Sequence, residues 1–251
     1  MSNVKALVLI PSRYASARFP GKPLAPILGK SMIQWVYEGC RSSGFATWVV
    51  TDHDAIEECV KGFGGNVCRV DDEVASGSER IQLAYTRYFS QDDYQYIINV
   101  QGDEPLLQGA VLQELVFKQR ELATPVATLV KRCQGFDKEF YDANKVKVAL
   151  SSKGICHYFS RAPIPFVRDA DMPLSEQNWF LHIGVYSYTP AALLAFGQHP
   201  VTALEDAEKL EQLRALELGL SIGALVSAGQ YIGVDKLEDI QKIEGELNGE
   251  G

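Results

Sequence analysis

Residues 4–10 form an apolar run broken only by Lys5, which predicts a strand covered on both faces. Prolines and glycines recur through 11–29, so an irregular loop follows. Apolar positions then take helical spacing across 31–41, a strand is expected at 46–51, and a second helix over 54–62. Gly64-Gly65 turns the chain into a short strand at 66–70. A helix over 78–89, a buried strand at 96–100, a helix over 110–121 and a strand at 126–130 complete this half. Strand and helix in alternation predict an α/β fold with a mostly parallel, doubly wound sheet.

The alternation stops near residue 131. Segments 145–150 and 155–160 predict a hairpin about a turn at 151–154. A proline-rich loop at 162–173 precedes a strand at 182–188. The strongest helical pattern of the chain covers 204–218, where Leu204, Ala207, Leu210, Leu213 and Leu216 share a face. A strand at 221–226 and a helix at 236–247 close the pattern. No repeat and no low-complexity linker divides the chain, so the expectation is a single domain over 1–251 with an inserted β-rich flap.

Composition narrows the function. Hydrophobic residues make up 46% and charged residues 22% of the 251, which excludes wholesale disorder. The net charge of −8 argues against a nonspecific nucleic-acid binder or an anionic-membrane binder. Cys40, Cys59, Cys68, Cys133 and Cys156 are odd in number and lack C-x-x-C spacing, so neither a disulfide framework nor a zinc ribbon is supported. The first apolar run is too short for a signal sequence, and no stretch approaches a membrane span. The expected setting is cytoplasmic.

Five constellations carry candidate chemistry. The loop after the first strand places Arg13, Arg18 and Lys22 where doubly wound sheets bind ligands; with backbone amides, these cations suit a triphosphate. It is not a Walker A loop, because Pro23 follows Lys22. The segment Asn99-Val-Gln101-Gly-Asp103-Glu104-Pro105 leaves another buried strand, and its carboxylate reads equally as a divalent-cation ligand or as part of a turn. Ser76-Gly77-Ser78-Glu79-Arg80 opens a helix, so it reads either as a nucleotide contact or as a serine N-cap. Asp235 after Gly233 is by itself an N-cap; beside Asp103 it becomes a candidate second metal ligand. His182 and Tyr186, four apart in a strand, share a face. Alone, such a histidine is structural, and the charges around Glu211 belong to a solvated helix face.

Taken together, the blocks IPSRYASARFPGKPLAPILGK, ASGSER, NVQGDEP, YFSRAPIPF, LHIGVYSY, LEDAEKLEQLRALE and GVD resemble the 3-deoxy-manno-octulosonate (Kdo) cytidylyltransferases, in matching order from about residue 6 to about residue 240. The resemblance implies a Rossmann-like sheet of the nucleotide-diphospho-sugar transferase type, a homodimer and a magnesium requirement. It implies the reaction of CTP with Kdo to give CMP-Kdo and pyrophosphate for lipopolysaccharide assembly, with the 8-amino analogue of Kdo or another keto-sugar acid as the alternative sugar. Nucleotide binding falls to about 1–130 and sugar binding with dimer formation to about 131–230. Ser12, Arg13, Lys22, Ser76, Gly77, Ser78 and Arg80 then match the nucleotide pocket. Asp103 and Asp235 match the magnesium aspartates, and these two with Lys22 and Arg13 carry catalysis. Gln101, Arg161, His182, Tyr186, Glu211 and Gln212 match the sugar site. Ser12 stands where the family often has Ala, and Ser78 where Thr is usual. Tyr231-Ile232 and Lys236-Leu237 also depart from the family, around Asp235, where a different sugar would register.

The implied chemistry suits these residue types. An anomeric hydroxyl must attack an α-phosphorus while nucleophile, phosphates and sugar carboxylate repel one another. Positioning and charge neutralisation therefore supply the catalysis, and no side chain stands out as a general base.

Overall fold

The computed structural model describes residues 4–15, 19–74, 76–168, 173–234 and 236–249. In chain order, β1 (Ala6–Ser12) leads through a 3-10 turn (Lys22–Leu24) to β2 (Pro26–Ile27), β3 (Lys30–Ser31) and α1 (Met32–Arg41). Then come β4 (Ala46–Thr51), α2 (Asp54–Gly62), β5 (Val67–Arg69), α3 (Gly77–Ala84) with a π turn (Tyr85–Phe89), β6 (Tyr96–Val100) and α4 (Gly109–Leu122). They are followed by β7 (Val126–Gln134), α5 (Lys138–Tyr141), β8 (Lys147–Leu150), β9 (Ile155–Ser160) and β10 (Asn178–Tyr188). The last elements are α6 (Pro190–Gln198), α7 (Ala203–Glu208), α8 (Gln212–Glu217), β11 (Ile222–Val226) and α9 (Leu237–Asn248). The chain forms two compact units, one of Met1–Gln113 with Gln230–Gly251, the other of Glu114–Gly229.

In the first unit the strands lie in the order β5-β4-β1-β6, all parallel. Every residue of β1 is buried, as its apolar run requires. Parallel register sets Ser12 beside Thr51 and Leu9 beside Asn99, so the C-terminal ends of β1, β4 and β6 share one edge. The C-terminal stretch returns to this unit: Val234, Ile240 and Ile243 bury themselves against Ala25, Ile27 and Met32. The loop of β1 is thus packed from behind by α9.

The second unit runs β10-β7-β11-β9-β8 and is mixed. Only β11–β7 is parallel among its described pairs; β10–β7, β10–β8, β11–β9 and β8–β9 are antiparallel. This corrects the expectation of a mostly parallel sheet. Strands that follow one another without long crossover helices pair antiparallel, and that is the order from 126 to 188. The hairpin expected at 145–160 is present as β8–β9, turning at Gly154 with φ +83°. It is hydrogen-bonded into the sheet through β11 and β10 rather than standing apart as a flap.

The helix expected over 204–218 is two helices. Lys209 ends α7 in the left-handed region, φ +52°, and α8 begins only at Gln212. The apolar spacing continued through the break, which hid it. What fixes the break is polar: the Glu208 carboxylate accepts from Ser160 Oγ at 2.6 Å and Arg161 N at 2.8 Å, while Arg161 Nε donates to the Glu208 carbonyl at 2.7 Å.

All five cysteines are reduced, and burial pushes the Cys68 and Cys156 thiols up to about 12. No described helix is long and apolar enough to cross a membrane.

One buried charge pair secures the second unit. Arg214 Nε and Nη2 meet the two Glu205 carboxylate oxygens at 2.7 and 2.5 Å, the guanidinium lies 4.5 Å from the Phe196 ring centre, and Thr202 N donates to Glu205 at 3.3 Å. Both side chains are almost wholly enclosed. Removing one partner strands a buried charge, so Arg214→Ala should cost about 3–5 kcal/mol in urea unfolding. Lys242→Ala, which deletes the exposed pair with Asp239, should leave the unfolding midpoint near wild type. Equal effects of the two substitutions would overturn the assignment.

Candidate active site

The shared strand edge of the first unit opens into a cavity of about 240 Å³. From β1 come Pro11 and Ser12, and Arg13 follows directly. Gly102 and Asp103 follow β6, and Ser76 and Gly77 open α3. Ser76 caps α3, its Oγ accepting from Glu79 N at 3.2 Å, so a helix N-terminus faces the space. Gly102 permits the closest approach: a Cβ there would sit 2.7 Å from Ser12 Oγ and 3.3 Å from the Pro11 carbonyl.

Lys22 is set by a short turn. Gly21 takes φ +72°, a conformation that favours glycine, and Pro23 fixes the next step. The Lys22 ammonium donates to Asp103 Oδ2 at 2.5 Å and to the Val234 carbonyl at 2.7 Å. Val234 N in turn donates to the Asp103 carbonyl at 3.1 Å. One cation therefore joins the loops after β1 and β6 to the segment before α9.

Arg80 is buried, donating to the Val70 carbonyl and, at 2.7 Å, to Asp52 Oδ2. Arg13 is exposed and has no ion-pair partner among the described residues. Gln101 lines the cavity, its Nε2 3.5 Å from Asn99 Oδ1. Ser78 lies behind the wall, buried, its Oγ 3.4 Å from Asn99 Nδ2. Asp235 lies outside the described residues, as does Arg18. Among the described residues no cluster of three acidic, histidine or cysteine side chains is present.

The remaining expected residues lie in the second unit. His182 Nε2 lies 3.1 Å from Thr128 Oγ1, and its ring centre is 5.3 Å from that of Tyr186 and 5.1 Å from that of Phe159. Residues four apart on a regular strand stand about 13 Å apart. The shorter ring separation coincides with an irregularity in β10, where pairing with β7 shifts between Ile183 and Tyr186. Thr128 Oγ1 fills it by donating to the Ile183 and Val185 carbonyls at 3.3 and 2.8 Å. Burial pushes the His182 imidazole down to about 3, so it is neutral at pH 7. Burial, then the nearby Tyr188 and Glu211 charges, raise the Tyr186 phenol well above its usual value. Gln212 is buried, and its Nε2 has no hydrogen-bond partner among the described residues. Arg161 is occupied by carbonyls, its Nε on Glu208, Nη1 on Ala143 and Nη2 on Lys209.

Sequence reasoning overlooked Asp52, Thr128 and Val234 among the residues that hold these groups, and took Glu208 for a charge on a solvated helix face. Asp52 has a readable signal, since it follows β4 at the same edge as Ser12 and Asp103. Thr128, Glu208 and the Val234 carbonyl have none, because their parts depend on register and on a main-chain atom.

The cytidylyltransferase family model matches residues 7–222. The 8-amino-3,8-dideoxy-manno-octulosonate cytidylyltransferase of Shewanella baltica is 43% identical over 249 residues, covering 96% of this chain and 97% of its own. That of Shewanella sediminis is 42% identical with the same coverage. A solved CMP:2-keto-3-deoxy-manno-octonic acid synthetase complexed with CTP has a TM-score of 0.88 at 34% identity, covering 98% of this chain and 100% of that one. A cytidylyltransferase from Leptospira borgpetersenii serovar Hardjo-bovis shares the fold, with a TM-score of 0.63 at 16% identity over 98% and 88% of the two chains. With an α/β fold and a family match across most of its length, this chain belongs to the Kdo cytidylyltransferase family and is a nucleotidyltransferase.

Proposed function

We infer that the chain transfers CMP from CTP to 8-amino-3,8-dideoxy-manno-octulosonate, releasing pyrophosphate. The observation that carries the choice of sugar is the 43% identity, across 96% of the chain, with relatives named for that substrate. Kdo itself is the second reading, favoured by the structural likeness to a synthetase named for it. Lipopolysaccharide assembly, a cytoplasmic setting and a homodimer accompany either reading as parts of the same proposal. The parallel strands β5-β4-β1-β6 serve as its Rossmann-like nucleotide-binding half.

In this reading the sugar's anomeric hydroxyl attacks the α-phosphorus of CTP. A new P–O bond forms, the bond to the β-phosphate oxygen breaks, and the hydroxyl proton passes to solvent. Arg13 and Lys22 take the phosphates by charge-assisted hydrogen bonds. Backbone groups around Ser12 and 76–78 read the cytosine, and Arg80, held by Asp52, stiffens that wall. His182, Tyr186, Glu211 and Gln212 present donors and acceptors to sugar hydroxyls, the unpaired Gln212 Nε2 among them. Arg161 anchors the break between α7 and α8 that brings Glu211 and Gln212 into place.

Magnesium fits the donor set. Asp103 offers a hard carboxylate already beside a cation, and a magnesium ion keeps several water and phosphate ligands, so one or two carboxylates suffice. Asp103, with Asp235 as the second proposed ligand, would hold it, and it would neutralise triphosphate charge.

The deciding assay is pyrophosphate release with CTP, magnesium and each sugar acid. We expect kcat/KM for the 8-amino sugar to exceed that for Kdo by about 10-fold or more, and CTP to exceed UTP by about 100-fold, because a site built around the cytosine amine leaves groups unpaired with uracil. Preference for Kdo would replace the sugar; turnover of neither would overturn the function. Asp103→Asn should lose about 100-fold in kcat. Lys22→Met should slow turnover similarly, yet tighten magnesium binding to the nucleotide-free protein in calorimetry, since Asp103 loses a competing cation. Unchanged or weaker magnesium binding would show that the two cations do not compete.

A further inference from the structure

Arg13, Tyr14 and Ala15 are all exposed, so the segment that carries the cavity's free-standing arginine has no buried side chain to order it. What it has is a ring stack. The Tyr14 ring lies on the His53 imidazole with centres 4.1 Å apart and planes 13° from parallel. The Tyr14 carbonyl accepts from Gly21 N at 3.0 Å, and a Cβ on Gly21 would meet the Tyr14 ring at 3.4 Å. Tyr14 therefore touches His53 with its ring and the residue before Lys22 with both ring and main chain.

His53 is itself fixed to the sheet. It is the second residue after β4, its N donates to Thr51 Oγ1 at 3.3 Å, and its Nδ1 accepts from Ala55 N at 3.2 Å as the N-cap of α2. Its neighbour Asp52 holds Arg80. The two residues after β4 thus support two cationic parts of the cavity, one through a carboxylate and one through a ring, though His53 does not line it.

We propose that His53 is a positioning residue for nucleotide binding: its ring, through Tyr14, holds Arg13 and Lys22 at the cavity. The inference rests on reading that cavity as the CTP site.

Two substitutions separate the ring from the helix cap. His53→Asn keeps a capping acceptor and loses the ring; His53→Phe keeps a stacking ring and loses the acceptor. Calorimetry with CTP, thermal melting and the sugar KM are read for each. His53→Asn should weaken CTP binding about 10-fold with a near-normal Tm and sugar KM, the scale expected when binding groups are misplaced. His53→Phe should bind CTP as wild type does while melting lower. Tyr14→Ala should match His53→Asn, and the double variant should lose no more than either single one. Wild-type CTP affinity in His53→Asn, or a loss in both His53 variants that follows Tm, overturns the proposal. Failure of the wild-type protein to bind CTP overturns the function reading instead.

Discussion

The first unit depends on one ammonium group. Lys22 Nζ reaches a carboxylate after β6 and a carbonyl before α9 from a turn that began at the end of β1. These three segments are far apart in sequence; the Val234 N bond to the Asp103 carbonyl joins two of them, and the ammonium joins all three. A partly buried cation with a carboxylate at 2.5 Å and a carbonyl at 2.7 Å fixes their spacing more tightly than apolar contact, which has no direction. The apolar cluster of α9 against Ala25, Ile27 and Met32 brings the segments close. The ammonium then sets how close.

The same division of labour recurs in the second unit. Apolar burial places β10 beside β7, and hydroxyl and carboxylate groups set the detail. Thr128 holds the irregular stretch of β10 through two carbonyls, and Glu208 with Arg161 holds the break between α7 and α8. In both places a polar side chain satisfies main-chain groups that regular structure would otherwise have paired.

Much of the fold was legible because it is written in apolar periodicity. The strands at 46–51, 96–100 and 155–160 and the helix at 54–62 match their expected ranges. The β1 loop and Asp103 were legible as neighbours because parallel strands end at one edge, whereas the start of α3 joined them only through the family resemblance. Three things were not. The helix over 204–218 kept its apolar stripe through Lys209, so periodicity carried no sign of the break. The mixed pairing of the second unit depends on connection lengths, which apolar runs do not encode. The closeness of His182 and Tyr186 depends on an irregularity that a uniform strand rise overestimates. The partners of Lys22 divide along the same line, since a carboxylate can be read from a sequence and a main-chain carbonyl cannot.

The return of residues 230–249 to the first unit bears on how the molecule is made. The strands β5-β4-β1-β6 leave the ribosome early, and the whole second unit is synthesised before Val234 and α9 appear. Until then Lys22 lacks its carbonyl partner, and Ala25, Ile27 and Met32 lack their cover. The second unit is continuous in sequence and is free to collapse first, whereas the first unit waits for contacts more than 200 residues apart to close. During that interval the nascent chain presents an uncovered apolar patch beside an unfinished pocket.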